Sequence, residues 1–155
     1  MILHKHLIVR AECLNSPPKS LQSELSLNSS IDNLIGDINM KVVLPARCIY
    51  VGEIGNEGYT GQAGLETSHI AYHIWDTPDT KLLNNDRSVS LIQFDLYTCG
   101  CLGVEEIIKV LNWVDQFNIT YLELKLIDRA TVIHNLAHLT CVGLDEEYIR
   151  EIIGA

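Results

Sequence analysis

Hydrophobic residues recur along this chain with the two spacings that are typical of strands and of amphipathic helices. Short apolar runs, several with strict alternation, predict β-strands over residues 4–12, 41–51, 65–75, 89–99 and 119–127. Helical spacing of apolar residues predicts helices over residues 31–39, 104–117 and 145–153. Residues 131–139 are ambiguous between the two patterns. Strands interspersed with helices predict an α+β fold, a two-layer α/β sandwich with a mainly antiparallel sheet.

Polar and glycine-rich stretches separate these elements. Residues 15–30 are rich in Ser, Pro and Asn, which predicts a connection with room for only a short helical turn. Pro45 has no N–H to donate, so the strand that contains it should lie at a sheet edge or carry a bulge. The four glycines in residues 55–64 predict turns or a close approach of the backbone. They form no phosphate-binding motif.

Two of the predicted strands separate polar from apolar side chains. The odd-numbered positions of residues 69–75 carry two His and a Trp, whereas the even-numbered positions carry Ile, Tyr and Ile. Residues 91–99 alternate in the same way, with Gln, Asp, Tyr and Cys on one face and Ile, Phe and Leu on the other. Paired as an antiparallel hairpin, these strands would turn one apolar face towards helices and one titratable face outward. We expect the chemistry on the titratable face.

Charge and cysteine content narrow the range of partners. Lys and Arg total 11 against 20 Asp and Glu, a formal net charge of -9, so we expect no nucleic-acid partner. No apolar run approaches the roughly 20 residues that span a bilayer, and the first residues do not resemble a signal peptide, so we expect no membrane association. Five scattered cysteines favour reduced thiols and a cytoplasmic location. We expect residues 1–155 to form a single domain.

Reactive residue types on the two polar strands match a known pattern. Residues 68–75, S-H-I-A-Y-H-I-W, and residues 95–100, D-L-Y-T-C-G, resemble the E-S-H-x-x-x-H-x-W and D-x-F-T-C-G motifs of prokaryotic S-adenosylmethionine decarboxylases. Thr60 stands where that family has a Ser, and the H-K-H-L-I of residues 4–8 is similar to the family's first strand. The matching residues keep their order over about residues 4–128.

The resemblance implies an enzyme that makes a pyruvoyl cofactor from its own backbone. Ser68 Oγ would attack the carbonyl of Thr67, and elimination and hydrolysis would leave a pyruvoyl group derived from Ser68 at the new terminus. The ketone would then form a Schiff base with a small-molecule amine substrate and accept electrons as CO₂ leaves. In the family that substrate is S-adenosylmethionine, which supplies spermidine biosynthesis. The family protomers pair through their sheets, so a homodimer with active sites near the interface is also implied.

The resemblance assigns roles to the matching residues. His73 would assist elimination, Cys99 would act as the acid in decarboxylation, and Thr60 would hydrogen-bond near the scissile carbonyl. Trp75 would form a wall of the substrate pocket. His69 would orient the scissile strand.

Three further positions depend on the same pattern. Asp95 is a candidate partner for one of the two strand histidines and would fix its tautomer. Thr67 stands where the family has Glu, and Glu66 is displaced by one position. Ile54 stands where the family has a Phe that helps to stack adenine. We count Ile54 and Glu66 with Trp75 as candidate substrate-binding residues.

Alternatives remain open at this stage. Ile54 and the long loop 76–88 favour a decarboxylase of ornithine or arginine on the same scaffold. Thr67 favours an unprocessed, non-catalytic homologue that acts as a binding or partner module. His134 and His138 have the spacing of zinc ligands on a helix, but they lack the Glu of the H-E-x-x-H motif. We therefore expect no metal site.

Overall fold

The computed structural model describes residues 3–154, which contain seven strands and three α-helices. The strands are β1 Lys5–Cys13, β2 Val42–Val51, β3 Gly58–Leu65, β4 Ser68–Trp75, β5 Ser90–Thr98, β6 Ile119–Asp128 and β7 His134–Val142. The helices are α1 Leu21–Asp37, α2 Val104–Asp115 and α3 Glu146–Gly154. All strand pairs are antiparallel, in the order β2-β3-β4-β5-β1-β6-β7. The predicted α+β two-layer sandwich is confirmed.

The core lies between one face of the sheet and the helices, which contact one another in the order α1, α2, α3. Helix α2 buries the apolar stripe that its spacing predicts, and Trp113 adds an aromatic ring against Tyr72 and Phe94 of the sheet. The indole N–H of Trp113 donates to Ser30 Oγ over 2.9 Å, which ties α2 to α1. Because one face of the sheet is used for packing, the side chains of the other face are left free for chemistry.

Helix α1 is longer than the sequence pattern predicts. Residues 21–30 are helical, so the predicted connection over residues 15–30 is wrong for its second part. Ser20 is the N-cap and its Oγ accepts the N–H of Ser23 over 3.1 Å. Only Leu27 is buried in this polar first half, and Ile31 continues its stripe one turn later. Tertiary packing and a good cap outweigh the weak helix propensity of the Ser and Asn residues.

The glycine-rich stretch forms strand β3 and not a series of turns. Gly61 pairs with Tyr72 on β4, and a Cβ at this position would lie 2.3 Å from the Tyr72 ring. The predicted close approach is therefore confirmed at Gly61, and the predicted turns are wrong over 58–64. The predicted strand 65–75 is also interrupted, because Glu66 and Thr67 form a two-residue turn between β3 and β4.

The two edge strands of the sheet are β2, which contains Pro45, and β7, which contains His134 and His138. Strand β2 is an edge strand, and its register with β3 shifts between Leu44 and Arg47, around Pro45. Both structural options predicted for this proline are thus present. The ambiguous segment forms the opposite edge, β7, so His134 and His138 lie on a strand and not on a helix.

A buried carboxylate fixes the long loop between β4 and β5 to strand β1. Glu12 is fully buried and accepts the backbone N–H groups of Asn84 and Asn85, each over 2.9 Å. The Ser88 hydroxyl donates to it over 2.8 Å and the Arg10 guanidinium over 2.7 Å. Burial raises the pKa of Glu12, but these donors outweigh burial and lower the pKa to about 2.

We predict that Glu12→Gln lowers the free energy of unfolding at pH 7 by about 3 kcal/mol, since the carboxyl pKa falls from 4.5 to about 2 on folding. A group with a depressed folded pKa stabilises the fold fully above its unfolded pKa, and this contribution is lost as the pH falls towards about 2. Urea unfolding should therefore show a gap between wild type and variant that narrows by about half or more at pH 3. Glu105→Gln, which removes an exposed ion pair with Arg150, should change stability little. If wild type and Glu12→Gln differed in unfolding free energy by the same amount at both pH values, the lowered pKa of Glu12 would be contradicted.

Candidate active site

The open face of the sheet carries the titratable side chains that the alternation predicts. His69 and His73 of β4 and Asp95 of β5 are partly exposed on this face, whereas Ile70 and Phe94 on the opposite face are buried in the core. The predicted separation of polar and apolar faces is confirmed.

The peptide group between Thr67 and Ser68 is held at its carbonyl and at the neighbouring side chain. The Thr67 carbonyl oxygen accepts the backbone N–H of Cys99 over 3.0 Å. The Thr98 hydroxyl donates a hydrogen bond to the Thr67 hydroxyl over 2.9 Å. The same Thr98 oxygen accepts the backbone N–H of Gly100 over 2.9 Å. Thr98 is fully buried and pairs with Ser68 across β4 and β5. The turn is therefore clamped by residues 98–100.

Ser68 itself has an unusual backbone conformation. Its φ is 154°, a region that side-chain-bearing residues rarely adopt. Such a conformation costs on the order of 1–3 kcal/mol and persists only where the surroundings enforce it. The Ser68 Oγ lies 3.2 Å from Nδ1 of His69. Backbone strain, a hydroxyl and an imidazole thus coincide at the bond that the sequence predicts to break.

A second group of predicted residues surrounds His73. Its Nδ1 is hydrogen-bonded to Thr60 Oγ1 on the paired strand β3, and its ring lies against that of Trp75 with centroids 4.0 Å apart. The Trp75 indole N–H donates to Asn56 Oδ1 over 2.8 Å. The sequence pattern gave no indication of Asn56. Among the described residues 3–154, the buried Nε2 of His73 has no hydrogen-bond partner.

The electrostatics of His73 suit a neutral base. Burial is the main cause that lowers the pKa of this imidazole. The imidazole is therefore neutral at pH 7, with Nδ1 bonded to Thr60 and Nε2 without a partner in the part of the chain that the structure describes.

These two groups do not meet within one chain. Ser68 and His73 are separated by five positions on a single extended strand, which places them about 16 Å apart along it. The structure brings Ser68 together with Thr67, His69 and the Cys99 backbone. It brings His73 together with Thr60 and Trp75, in a separate place.

The two other predicted substrate-binding residues lie at the margins. Glu66 is exposed in the turn before Thr67 and borders a cavity of about 360 Å³ that Lys41 and Cys101 also line. Ile54 is 94% exposed in the connection between β2 and β3, so within this chain it forms no pocket wall.

Two larger cavities lie on the open face. One of about 400 Å³ is lined by Thr60, His73, Trp75 and Asp95, among others. The other, of about 490 Å³, borders Ser68 and has β2 as its opposite wall. Both volumes fall in the range of small-molecule sites. Each group of predicted residues therefore has its own space in which a ligand can be held.

Asp95 has two histidine partners on neighbouring strands. Its Oδ1 lies 3.4 Å from Nε2 of His69, one of the two partners that the sequence left open. It also lies 3.4 Å from Nε2 of His6 on β1, a residue that no sequence motif singled out. The alternation of H-K-H places His6 on a face, but the pairing of β1 with β5 joins residues that are distant in sequence.

The two remaining histidines of the sequence analysis, His134 and His138, lie on the edge strand β7. His138 Nε2 lies 2.8 Å from the Glu123 carboxylate across β6 and β7. In residues 3–154, no group of three or more His, Cys, Asp or Glu side chains is placed to hold a metal ion. Across the same residues, no helix is long and apolar enough to cross a membrane.

Comparison with known proteins identifies a family. The family model described as S-adenosylmethionine decarboxylase matches residues 5–130, more than half of the chain and including both groups of site residues. No curated protein matches the chain.

We predict that His73 titrates below the ordinary histidine pKa of about 6.5, because burial disfavours its charged form. NMR titration of the histidine ring signals in a Ser68→Ala chain would measure this on one continuous polypeptide. His73→Gln in the same background assigns the signal. A His73 pKa at or above the ordinary value would show that the imidazole is not buried as described.

Proposed function

The chain belongs to the S-adenosylmethionine decarboxylase family, and on this premise we propose that it is a pyruvoyl-dependent enzyme that cleaves itself between Thr67 and Ser68. Its substrate is then S-adenosylmethionine, and its place is spermidine biosynthesis. The observation that carries the proposal is the strained backbone of Ser68, next to a carbonyl held by the Cys99 N–H.

The local geometry favours attack on this peptide bond. Breaking the Thr67–Ser68 peptide bond releases the backbone strain at Ser68. The strain therefore lowers the energy needed to break this bond, although it destabilises the fold. The Cys99 N–H points at the Thr67 oxygen, where negative charge develops when a nucleophile adds to the carbonyl. The clamp by Thr98 keeps the turn from relaxing before reaction. Each feature supports cleavage at Ser68 in preference to another serine.

The residues present fit a pyruvoyl group derived from Ser68. The group would stand at the start of β4, beside the cavity of about 490 Å³ that Ser68 borders. Its ketone, when formed, draws electrons from an amine substrate and so permits loss of CO₂. Cys99 follows the residue that pairs with Ser68, and in this proposal its thiol returns a proton to the substrate carbon.

We propose that a second copy of the chain completes the active site. The Thr60 and His73 pair is about 16 Å along β4 from Ser68, too far for one protomer to bring them together. His73 lies on the open face of the sheet, and its Nε2 has no hydrogen-bond partner within residues 3–154. If two sheets pack face to face about a two-fold axis, His73 and Thr60 of the partner can approach Ser68. Each dimer would then contain two equivalent composite sites.

A decarboxylase of ornithine or arginine is the second candidate. The exposure of Ile54 favours it, since an aliphatic side chain in open solvent offers no stacking surface to adenine. Trp75 remains as an aromatic wall for S-adenosylmethionine.

We also propose that the chain acts as one domain in the cytoplasm, without nucleic-acid or membrane partners. All five cysteines are free thiols, which suits a reducing compartment. The formal net charge of -9 disfavours a polyanionic partner.

We predict that the purified chain separates on a denaturing gel into fragments 1–67 and 68–155. Intact-mass spectrometry should find the larger fragment lighter than its sequence by one ammonia, and phenylhydrazine should label its terminal ketone. Ser68→Ala should stay whole. Release of CO₂ from S-adenosylmethionine, ornithine or arginine then identifies the substrate. A single intact band after prolonged incubation would overturn the enzyme and favour the non-catalytic homologue.

We predict that co-expressed Ser68→Ala and His73→Ala chains recover decarboxylase activity that neither has alone. Random pairing makes half of the dimers mixed, and each mixed dimer has one intact composite site, so about one quarter of wild-type activity is expected. Ser68→Ala with Cys99→Ala is the matched control and should stay inactive, because Ser68 and Cys99 belong to the same protomer's share of the site. If the mixture of Ser68→Ala and His73→Ala chains were as inactive as the control mixture, a site shared between protomers would be contradicted.

A further inference from the structure

His69 and Asp95 belong to a side-chain row that crosses three strands next to Ser68. The pairing of β1 with β5 and of β5 with β4 sets His6, Tyr97 and His69 directly opposite one another. Asp95 precedes Tyr97 by two positions on the same face of β5, so its carboxylate faces both imidazoles diagonally. The two distances of 3.4 Å from Asp95 Oδ1 to the histidine Nε2 atoms follow from this register.

The protonation of His6 follows from its other neighbour. Arg129 NH1 lies 3.3 Å from Nδ1 of His6, and a guanidinium only donates hydrogen bonds. Nδ1 of His6 must therefore be the acceptor, and the ring proton of the neutral imidazole lies on Nε2, towards Asp95. Arg129 is itself fixed, because its guanidinium stacks over Tyr97 at 4.2 Å and its backbone N–H donates to the His4 carbonyl over 2.7 Å.

The same reasoning sets the tautomer of His69. Asp95 Oδ1 lies 3.4 Å from Nε2 of His69, longer than an ordinary hydrogen bond, and the negative charge of the carboxylate favours the tautomer with the ring proton on Nε2. The lone pair of His69 is then on Nδ1, which lies 3.2 Å from Ser68 Oγ. An imidazole with its basic nitrogen at a serine hydroxyl and its N–H towards a carboxylate is oriented to act as a general base.

We propose that His69 is the catalytic base of the acyl shift at Ser68 and that Asp95 is the positioning residue that holds its tautomer. This inference rests on the proposed self-cleavage. Ser68 Oγ bonds to the Thr67 carbonyl carbon while its proton passes to His69 Nδ1. The carbon–nitrogen bond then breaks, and the same proton passes from His69 to the released Ser68 nitrogen. The product is an ester with a free amine, and no atom or electron is gained or lost.

This assignment divides the processing reaction between two histidines. His69 adjoins Ser68 in the same protomer, so the acyl shift requires no second copy. His73 is about 16 Å away along β4 and reaches Ser68 only from a partner, so it serves the later removal of the Ser68 α-proton. Ester formation and elimination thus become separable steps.

The test measures ester formation in a chain that cannot eliminate. In a His73→Ala background, the Thr67–Ser68 ester should accumulate, and hydroxylamine should cut it while leaving peptide bonds intact. Adding His69→Ala should slow the appearance of the hydroxylamine-sensitive species by about 100-fold. Added imidazole should restore part of the rate, which a merely structural role would not allow. His138→Ala, which removes an exposed imidazole of β7, should behave like the parent.

Asp95 requires a readout of tautomer as well as rate. Asp95→Asn should slow ester formation by at least about tenfold. An amide can pair with either tautomer of His69, so part of the population would carry the ring proton on Nδ1 and could not accept the Ser68 proton there. Ring ¹⁵N shifts of His69 in a Ser68→Ala chain should report Nε2–H, and Asp95→Asn should convert this signal to a mixture of tautomers. An unchanged His69 tautomer in Asp95→Asn would show that Asp95 is not the positioning residue.

The outcomes separate this inference from the proposed function. If the wild-type chain never cleaves and the His73→Ala chain yields no hydroxylamine-sensitive bond, the self-cleavage itself fails. If both react but His69→Ala reacts at the parent rate, self-cleavage stands and His69 is not the base. Where circular dichroism shows that His69→Ala does not fold, His69→Gln retains a polar side chain without basicity and should show the same slowing.

Discussion

The pairing of β4 with β5 is the interaction on which the candidate site depends. It sets Ser68 opposite Thr98, so the residues that follow Thr98 fold back onto the turn before β4. The Cys99 N–H then meets the Thr67 carbonyl, and Thr98 holds the Thr67 hydroxyl. A shift of this register by one residue would turn every polar side chain of β4 into the core, so the register is fixed by burial of the opposite face. The strain at Ser68 is maintained by the same pairing.

The straightness of a β-strand explains why the predicted site residues form two separate groups in one chain. Residues on one face of β4 recur at every second position, which brings chemistry to one surface but also spaces it along a line. His69 and His73 face the same way, and yet they belong to different neighbourhoods. A helix would have brought residues four apart together. On a strand, a set of this length is assembled across neighbouring strands or by a second sheet.

The sequence predicted those features that depend on local patterns. Alternation on 69–75 gave the correct face for His69 and His73, and helical spacing gave α2. Helix α1 was missed in its first half because Ser and Asn residues favour loops, while a single buried Leu27 and the Ser20 cap carry the helix. The contact of His6 with Asp95 was out of reach because it depends on which strands are neighbours, and chain order does not state that β1 lies beside β5. The backbone conformation of Ser68 likewise leaves no trace in residue types.

The order of strands in the sheet would govern what became of the chain if it were cut between Thr67 and Ser68. Residues before the turn at Thr67 supply β1, β2 and β3, and residues after it supply β4 to β7. Strand β1 lies between β5 and β6 and is hydrogen-bonded to both, so the first piece is threaded into the middle of the second. Separating the two pieces would require breaking three strand pairs, β3 with β4, β5 with β1 and β1 with β6, and would expose the core. A severed chain would therefore behave as one inseparable body, and the new terminus would stay anchored where it was made.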